Sequence, residues 1–196
     1  MTRRRIVLDD RPPRTQVPVL DSPTYAFATL DETRTYRYTL TREWRVGGTR
    51  CCFIMLNPST ADERKDDPTI RRCIGFAKAW GYDALDVVNL FALRATSPNV
   101  LRATNPPEAA IGPSNDNFII ATAHRAALVV AAWGIYGSYL RRDLVVRSLL
   151  KRERITVHHL GLTGSAADER AGIGDVMRQP RHPLYLRRDV VPLEWF

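Results

Sequence analysis

The sequence predicts an α/β protein, a three-layer α/β/α sandwich with a mainly parallel central sheet, preceded by an N-terminal β-hairpin. Continuous apolar runs of strand length recur along the chain, which is typical of strands covered on both faces. Segments with helical spacing lie between these runs, and this alternation favours parallel strands joined by crossover helices. The chain has 196 residues, 44% of them hydrophobic, so we expect one well-buried domain over residues 1–196.

The N-terminal part of the chain has its own pattern. Residues 1–20 contain several prolines and little periodicity, which indicates an extended arm. The segments TYAFATL (24–30) and YRYTLTREW (36–44) alternate apolar and polar residues on either side of the turn-like DETRT. This pattern predicts the hairpin over residues 24–44, packed on or beside the main sheet.

The first three core elements follow in order. The apolar run CCFIML (51–56) predicts a buried strand. DPTIRRCIGFAKAWG (67–81) predicts a helix, because Asp67 suits the N-cap, Pro68 suits the first turn and apolar residues recur at helical spacing. ALDVVNLFAL (84–93) predicts the next strand.

The alternation then continues, with a helix at 115–127, a strand at 128–134, a helix at 138–153 and a strand at 155–162. The predicted core therefore covers residues 51–186.

Ligands of such sheets bind outside the carboxyl ends of the strands. Three segments follow strands in this way and are the candidate site, residues 57–67, 89–98 and 178–188.

The composition excludes several classes of protein. No apolar run reaches about 18 residues and none follows the basic N-terminus, so neither a membrane span nor a secretory signal is expected. Cys51, Cys52 and Cys73 lack the spacing of a zinc ligand pair and should be buried reduced thiols. The run DERKDD (62–67) has carboxylates enough for a metal, yet such runs are usually solvated. We expect a cytoplasmic monomer with no metal or organic cofactor.

The formal net charge of +8 favours a polyanionic partner such as nucleic acid. Almost all of the positive charge is arginine, which suits phosphate binding. A skew towards arginine can also reflect a GC-rich genome, so charge alone leaves the partner open.

Three side chains in the candidate segments have two interpretations each. Asn57, before Pro58, could orient a water or ligand, or form a local turn. Asn89 lies in an otherwise apolar strand, where its amide either tethers the core or binds the edge of a base. His182 lies in the basic segment RQPRHPLYLRR (178–188). This segment either contacts a DNA backbone or is a solvated C-terminal strand. The chain has no GxGxxG, GxxxxGK[ST] or GxSxG motif.

Taken in order, these segments resemble the uracil-DNA glycosylase superfamily. FIMLNPS places Asn57 and Pro58 where that superfamily has Asp-Pro or Asn-Pro after a strand, and DVVNL matches its base-binding Asn at Asn89. LVVAAWGIYG is similar to the Leu-Trp-Gly strand of the superfamily, and RHPLYL resembles its His-Pro-Ser-Pro-Leu motif at His182. The chain also resembles a bacterial domain-of-unknown-function family with a Met-Leu-Asn-Pro-Ser-Thr hallmark.

The resemblance implies a monofunctional enzyme of base excision repair that flips uracil out of DNA and hydrolyses its N-glycosidic bond. Asn57 would hold the attacking water beneath C1′, although a neutral amide cannot take its proton as a carboxylate could. His182 would donate a hydrogen bond to O2 and stabilise the leaving oxyanion. Asn89 would accept from N3–H and donate to O4, an arrangement that cytosine cannot satisfy.

Other site residues follow from the same resemblance. Pro58 and Ser59 would border the base, and Ser59 stands where uracil-specific members carry a tyrosine that excludes thymine. Ile70 is near the expected position of the aromatic residue that stacks on the base, and Phe91 could replace it. Three residues could wedge into the duplex, namely Leu184, Tyr185 and Leu186. Three arginines could bind phosphates, namely Arg181, Arg187 and Arg188.

Three alternatives to the glycosylase remain open at this point. A protein of the same fold could bind abasic or damaged DNA without catalysis. It could instead process free nucleosides or nucleotides, or be a plain nucleic-acid-binding module whose asparagines are structural. Similarity of fold does not decide among them.

Overall fold

The computed structural model describes residues 23–163 and 178–196, which form an α/β structure with a seven-stranded mixed sheet. The strands are β1 (Tyr25–Leu30), β2 (Arg37–Glu43), β3 (Arg50–Met55), β4 (Ala84–Asn89), β5 (Leu128–Ala131), β6 (Val157–His159) and β7 (Leu193–Glu194). The α-helices of these ranges are α1 (Pro68–Ala79), α2 (Pro98–Ala103), α3 (Asn115–His124) and α4 (Arg142–Arg152). The predicted extended arm, residues 1–20, lies outside the described residues.

The strand order is β1-β2-β4-β3-β5-β6-β7. The central strands β4, β3, β5 and β6 are parallel to one another, as the alternation of strands and helices predicts. The outer strands are antiparallel, with β1 and β2 forming the expected hairpin and β7 pairing with β6. The hairpin joins the sheet itself, because β2 pairs with β4.

Successive residues of the parallel strands enter two separate apolar clusters, because side chains of a strand alternate between faces. Phe53, Val87 and Val130 belong to the first cluster, which includes the buried side of α1. Ile54, Val88 and Val129 belong to the second, which includes buried residues of α3 and α4. The continuous apolar runs of the sequence reflect this burial on both faces.

The helix α1 begins and ends where its sequence signals predict. The Asp67 carboxylate accepts a hydrogen bond from the backbone N–H of Ile70 at 2.9 Å, and Pro68 occupies the first turn. The helix ends at Ala79, and Gly81 follows with a φ of 75°. Capping of this kind fixes the direction in which the loop before α1 enters the helix.

Other boundaries differ from the predictions. The predicted strand 84–93 ends at Asn89, because the N–H groups of Phe91 and Ala92 donate to Leu56, after β3, and to Ile111. The predicted strand 128–134 ends at Ala131. The predicted helix 138–153 begins only at Arg142, because Ile135–Arg141 forms a 3₁₀ turn. The short helix α2, the two-residue strand β7 and the 3₁₀ turns Pro107–Ala110 and Pro183–Tyr185 have no counterpart in the predictions.

All three cysteines are buried and unbridged, as expected. Burial raises the pKa of the Cys52 and Cys73 thiols, which keeps both protonated. Within the ranges that the structure describes, no helix combines the length and apolarity needed to cross a membrane.

Candidate functional site

The candidate site is a cavity of about 540 Å³ at the carboxyl ends of the parallel strands. The next strand along the chain after β3 is β4, which pairs with one edge of β3. The strand after that, β5, pairs with the other edge of β3. Such a reversal of strand order opens a crevice where ligands of α/β proteins bind. Asn57 after β3, Asn89 at the end of β4 and Gly134 after β5 all line the cavity.

The structure brings most of the predicted site residues together in this cavity. They come from the loop after β3, the end of β4, the start of α1 and the C-terminal segment. The predicted residues that line the cavity are Asn57, Ser59, Ile70, Asn89, Arg181, His182, Leu184 and Tyr185.

Asn89 is the most unusual of them. Asn89 is 1% exposed, and neither Oδ1 nor Nδ2 of its side-chain amide has a hydrogen-bond partner among the described residues. Leaving a buried polar group unpaired costs about 1–3 kcal/mol. Its backbone is held instead, because Asn115 donates to the carbonyls of Asn89 at 2.9 Å and Leu90 at 3.0 Å. The side chain of Asn89 thus forms no hydrogen bond that would tether the core within the described residues.

Asn57 joins two loops at the cavity wall. Its Nδ2 donates to the carbonyl of Pro58 at 3.0 Å and to the carbonyl of Ala95 at 2.7 Å. These bonds fix the orientation of the amide, and no hydrogen bond among residues 23–163 and 178–196 uses its Oδ1. Asn57 thus has a structural role through Nδ2 and an acceptor available through Oδ1.

The imidazole of His182 is half-buried and has a defined tautomer. Its Nδ1 accepts a hydrogen bond from the backbone N–H of Leu184 at 3.3 Å. Burial lowers the pKa of His182, and the Asp67 carboxylate only partly opposes this. The ring is therefore neutral at pH 7 with its proton on Nε2, which makes Nε2–H a hydrogen-bond donor.

Gly134 sets the path of the chain out of β5, at φ 76° and ψ −171°, a region that is essentially restricted to glycine. Its N–H donates to the carbonyl of Pro180 at 2.9 Å, and an added Cβ would lie 3.6 Å from the Cβ of His182.

We expect Gly134→Ala to lower the free energy of unfolding by about 1–3 kcal/mol in urea titrations. Gly75→Ala, at an exposed helical position with open space, should raise it by about 0.5–1 kcal/mol. Equal effects of the two substitutions would contradict the strain at Gly134.

Several residues of the site were not predicted from the sequence. Arg37 and Asp67 line the cavity, as does Trp133. The indole N–H of Trp133 donates to Gln179 at 2.7 Å, and Gln179 donates to Asp143 at 2.8 Å, which anchors the C-terminal segment beneath β5. The motif LVVAAWG marks the position of Trp133, but no sequence signal connects Arg37 to the cavity.

Three predicted contacts are wrong. Phe91 is fully buried against Tyr139 in the second apolar cluster and does not line the cavity, so it cannot stack on a base there. Leu186 packs against the first cluster and is not a free wedge. Pro58 is buried and does not line the cavity, although its carbonyl holds Asn57.

Apart from Leu186, the predicted DNA-contacting residues are exposed, and Arg181, Leu184 and Tyr185 line the cavity. Tyr185 is 78% exposed, and Leu184 is also exposed. Arg187 forms an exposed ion pair with Asp189 at 3.0 Å, which raises the pKa of the Arg187 guanidinium. Arg188 lines a second groove beside Leu184 together with Arg71 and Arg72. The mouth of the cavity therefore adjoins a basic surface.

Fold and site together define an α/β protein with a cavity, lined by both polar and apolar side chains, at the carboxyl ends of its parallel strands. Residues 37–184 match the family model described as "Protein of unknown function (DUF1643)", and the chain belongs to this family. The matched range begins at Arg37 and ends at Leu184, both of which line the cavity. No curated protein and no solved structure matches the chain. The expected relation to a family of unknown function is confirmed, and the resemblance to uracil-DNA glycosylases stays a prediction.

Proposed function

We propose that this protein is a monofunctional DNA glycosylase that hydrolyses the N-glycosidic bond of uracil in DNA. The observation that carries the proposal is the buried, unpartnered amide of Asn89 at a cavity that also contains Asn57 and a neutral His182. Amides that face a base-sized cavity and have no protein partner are suited to bind the edge of a nucleobase.

The sheet is consistent with the fold that this function implies. Four parallel strands in the order β4-β3-β5-β6 have apolar clusters with helices on both faces, as expected for a uracil-DNA glycosylase-like three-layer sandwich. A similar fold supports the proposed function but does not establish it, because one fold can have many functions. The side chains of the cavity are therefore what supports this function.

The proposed recognition of uracil uses both atoms of one amide. Oδ1 of Asn89 accepts from N3–H of uracil, and Nδ2 donates to O4. Cytosine presents an acceptor and a donor at the corresponding positions, so binding it leaves the buried amide unpaired. Met55, Ile70 and Trp133 supply apolar surface for the faces of the base.

The proposed reaction breaks the bond between C1′ and N1, and its electron pair departs with the base. Nε2–H of His182 donates to O2 and stabilises the negative charge that develops there. A water adds its oxygen to C1′ while Oδ1 of Asn57 orients it, and the proton that this water loses goes to solvent. Because the amide cannot act as a base, general-base assistance of about 10²–10⁴-fold is absent at this residue. Catalysis then depends mainly on stabilising the leaving group.

The basic surface at the cavity mouth supports binding of DNA. Arg181, Arg71 and Arg188 are exposed and available for phosphates. Tyr185 and Leu184 project beside them and can fill the space that a flipped nucleotide leaves in the duplex. Binding of this kind weakens steeply as salt rises.

The direct test uses a labelled oligonucleotide duplex with one uracil, incubated with the protein and then treated with alkali. We expect scission at the uracil, no scission of the matching cytosine duplex, and loss of at least about tenfold in rate for Asn57→Ala, which removes the orienting acceptor. Asn99→Ala is the control, because Asn99 is exposed and does not line the cavity. If the folded wild-type protein produced no scission at the uracil, the proposal would be wrong.

A second candidate is a non-catalytic protein that binds abasic or damaged DNA, and the neutral amide at Asn57 favours it. Such a binder would shift abasic duplexes in gels more strongly than intact duplexes, without alkali-sensitive products. Activity on free nucleosides alone would instead favour a nucleoside-processing enzyme.

A further inference from the structure

Arg37 is a buried arginine on the cavity wall that has no anionic partner among the described residues. It is 2% exposed, and its Nη1 donates to the carbonyl of Ala61 at 2.7 Å. Its Nε is buried without a partner, and none of the hydrogen bonds within the described ranges uses its Nη2. A guanidinium binds a carboxylate side-on through Nε and Nη2 together. The pair of donors that remains is thus the pair that forms a fork.

Arg42, on the same strand, shows how this chain satisfies a buried arginine that has only a structural role. Arg42 is also 2% exposed, but it forms an ion pair with Asp66 at 2.7 Å. Its other donors bond to the carbonyls of Thr41 and Asp62, and it does not line the cavity. A buried charge without an ion-pair partner is costly. The lack of such a partner at Arg37 is therefore explained if a ligand supplies it.

A β-bulge directs Arg37 to the cavity. The pairing of β1 with β2 shifts between Thr29 and Leu30, so that Leu30 opposes Arg37. Tyr38 stacks on Phe118 of α3, with ring centroids 4.7 Å apart, whereas Arg37 lines the cavity on the α1 side. A bulge re-aims side chains in this way next to functional sites.

Arg37 keeps its positive charge at the cavity wall, beside the Asp67 carboxylate that also lines the cavity. Burial lowers the pKa of Arg37 to about 10, so it is still charged at neutral pH. The Asp67 and Asp62 carboxylates favour the charge, whereas Arg94 and Arg42 oppose it. Arg94 also has a buried Nε with no partner in the described part of the chain. An anion would satisfy donors that the protein leaves unpaired.

The strand order gives the place of that anion relative to a bound base. Arg37 is on β2, Asn89 on β4 and Asn57 after β3, and these strands are consecutive in the sheet. Strands lie about 4.8 Å apart, so Arg37 is on the side of Asn89 away from Asn57, about 10 Å across the sheet from β3. If the sugar is near Asn57 and His182, the edge of the base far from the sugar meets Arg37.

We propose that Arg37 binds an anionic substituent on that far edge, so that the preferred base is a pyrimidine with a carboxylate at C5 rather than plain uracil. The inference rests on the proposed binding of a base by Asn89 and names its substrate class. The two carboxylate oxygens accept from Nε and Nη2 of Arg37, while Asn89 binds N3–H and O4.

The test is a calorimetric titration of the whole protein with free bases. We expect 5-carboxyuracil to bind about 10- to 100-fold more tightly than uracil, as charge-assisted hydrogen bonds allow. 6-Carboxyuracil is the matched ligand, because its carboxylate lies beside N1, and it should show no such gain. Arg37→Gln should abolish the preference, and Arg37→Lys should keep part of it. Arg42→Gln should lower stability yet retain the preference, which separates recognition from loss of structure.

Several results would overturn the inference: equal binding of 5-carboxyuracil and uracil, no binding of either, or a preference that persists in a folded Arg37→Gln variant. Tighter binding of uridine monophosphate or inorganic phosphate through Arg37 would also overturn it, because the anion would then be a phosphate. Scission of uracil-containing DNA is measured on the same preparations. Absent scission with an intact, Arg37-dependent preference counts against the glycosylase and not against the anion site.

Discussion

Replacing Asn89 with leucine is expected to raise the free energy of unfolding by about 1–3 kcal/mol and to eliminate uracil excision. The side chains are similar in shape, and the substitution removes two polar atoms that are buried without hydrogen-bond partners in the described structure. Replacing such groups by apolar ones removes the cost of their desolvation. Urea denaturation measures the first effect and scission of a uracil duplex the second. A gain in stability coupled to a loss of function is what a ligand-binding amide predicts.

The matched control is Asn115→Leu. Asn115 is also 1% exposed with an unpartnered Oδ1, but its Nδ2 holds the carbonyls of Asn89 and Leu90. Its loss removes this donor from the carbonyl of Asn89, whereas the carbonyl of Leu90 still accepts from Nε of Arg142 at 2.9 Å. This variant should therefore be less stable than the wild type. If Asn89→Leu were destabilised as strongly as Asn115→Leu, the Asn89 amide would have a structural role and the site assignment would be wrong.

The second large effect is expected at His182. His182→Gln should reduce the rate constant of uracil excision about 10²–10³-fold, the usual loss when a donor to a developing oxyanion is misplaced. Affinity for free uracil should change far less, because the negative charge that His182 stabilises develops only in the transition state. Single-turnover kinetics separates the two quantities. A change in affinity as large as the change in rate would show that His182 only positions the base.

The pH dependence of stability tests the state of the same ring. Burial lowers the pKa of His182 below its ordinary value of 6.5, and burial also lowers the pKa of His158. Below pH 6.5 the unfolded chain therefore binds more protons than the folded one, so the free energy of unfolding falls as the pH is lowered from 6.5 towards the folded-state pKa values. His182→Gln and His158→Gln should each reduce this fall in denaturation at pH 7.5 and 5.5. His158 does not line the cavity, so only the first should impair excision.

Local patterns were sufficient to predict the core of the fold. The apolar runs gave the parallel strands, and the N-cap at Asp67 with Pro68 located α1 within a residue or two. Elements with little local signal were missed, because α2 and β7 are short and depend on contacts with distant residues. Periodicity also extended strands too far, as at Asn89, where the backbone turns to bond with another loop.

The sequence by itself determined that Asn57 and His182 follow core strands and that Asn89 belongs to one, since apolar runs can be read from neighbouring residues. That this strand ends at Asn89 was decided by the tertiary structure. Only the tertiary structure decided which side chains meet in the cavity. Phe91 faces the opposite cluster although it is two residues from Asn89, and a bulge in β2 brings in Arg37 from a hairpin outside the recognised motifs. The physical reason is that the face a side chain takes beyond a strand end, and the partners that neutralise a buried charge, are set by packing between segments far apart in the chain.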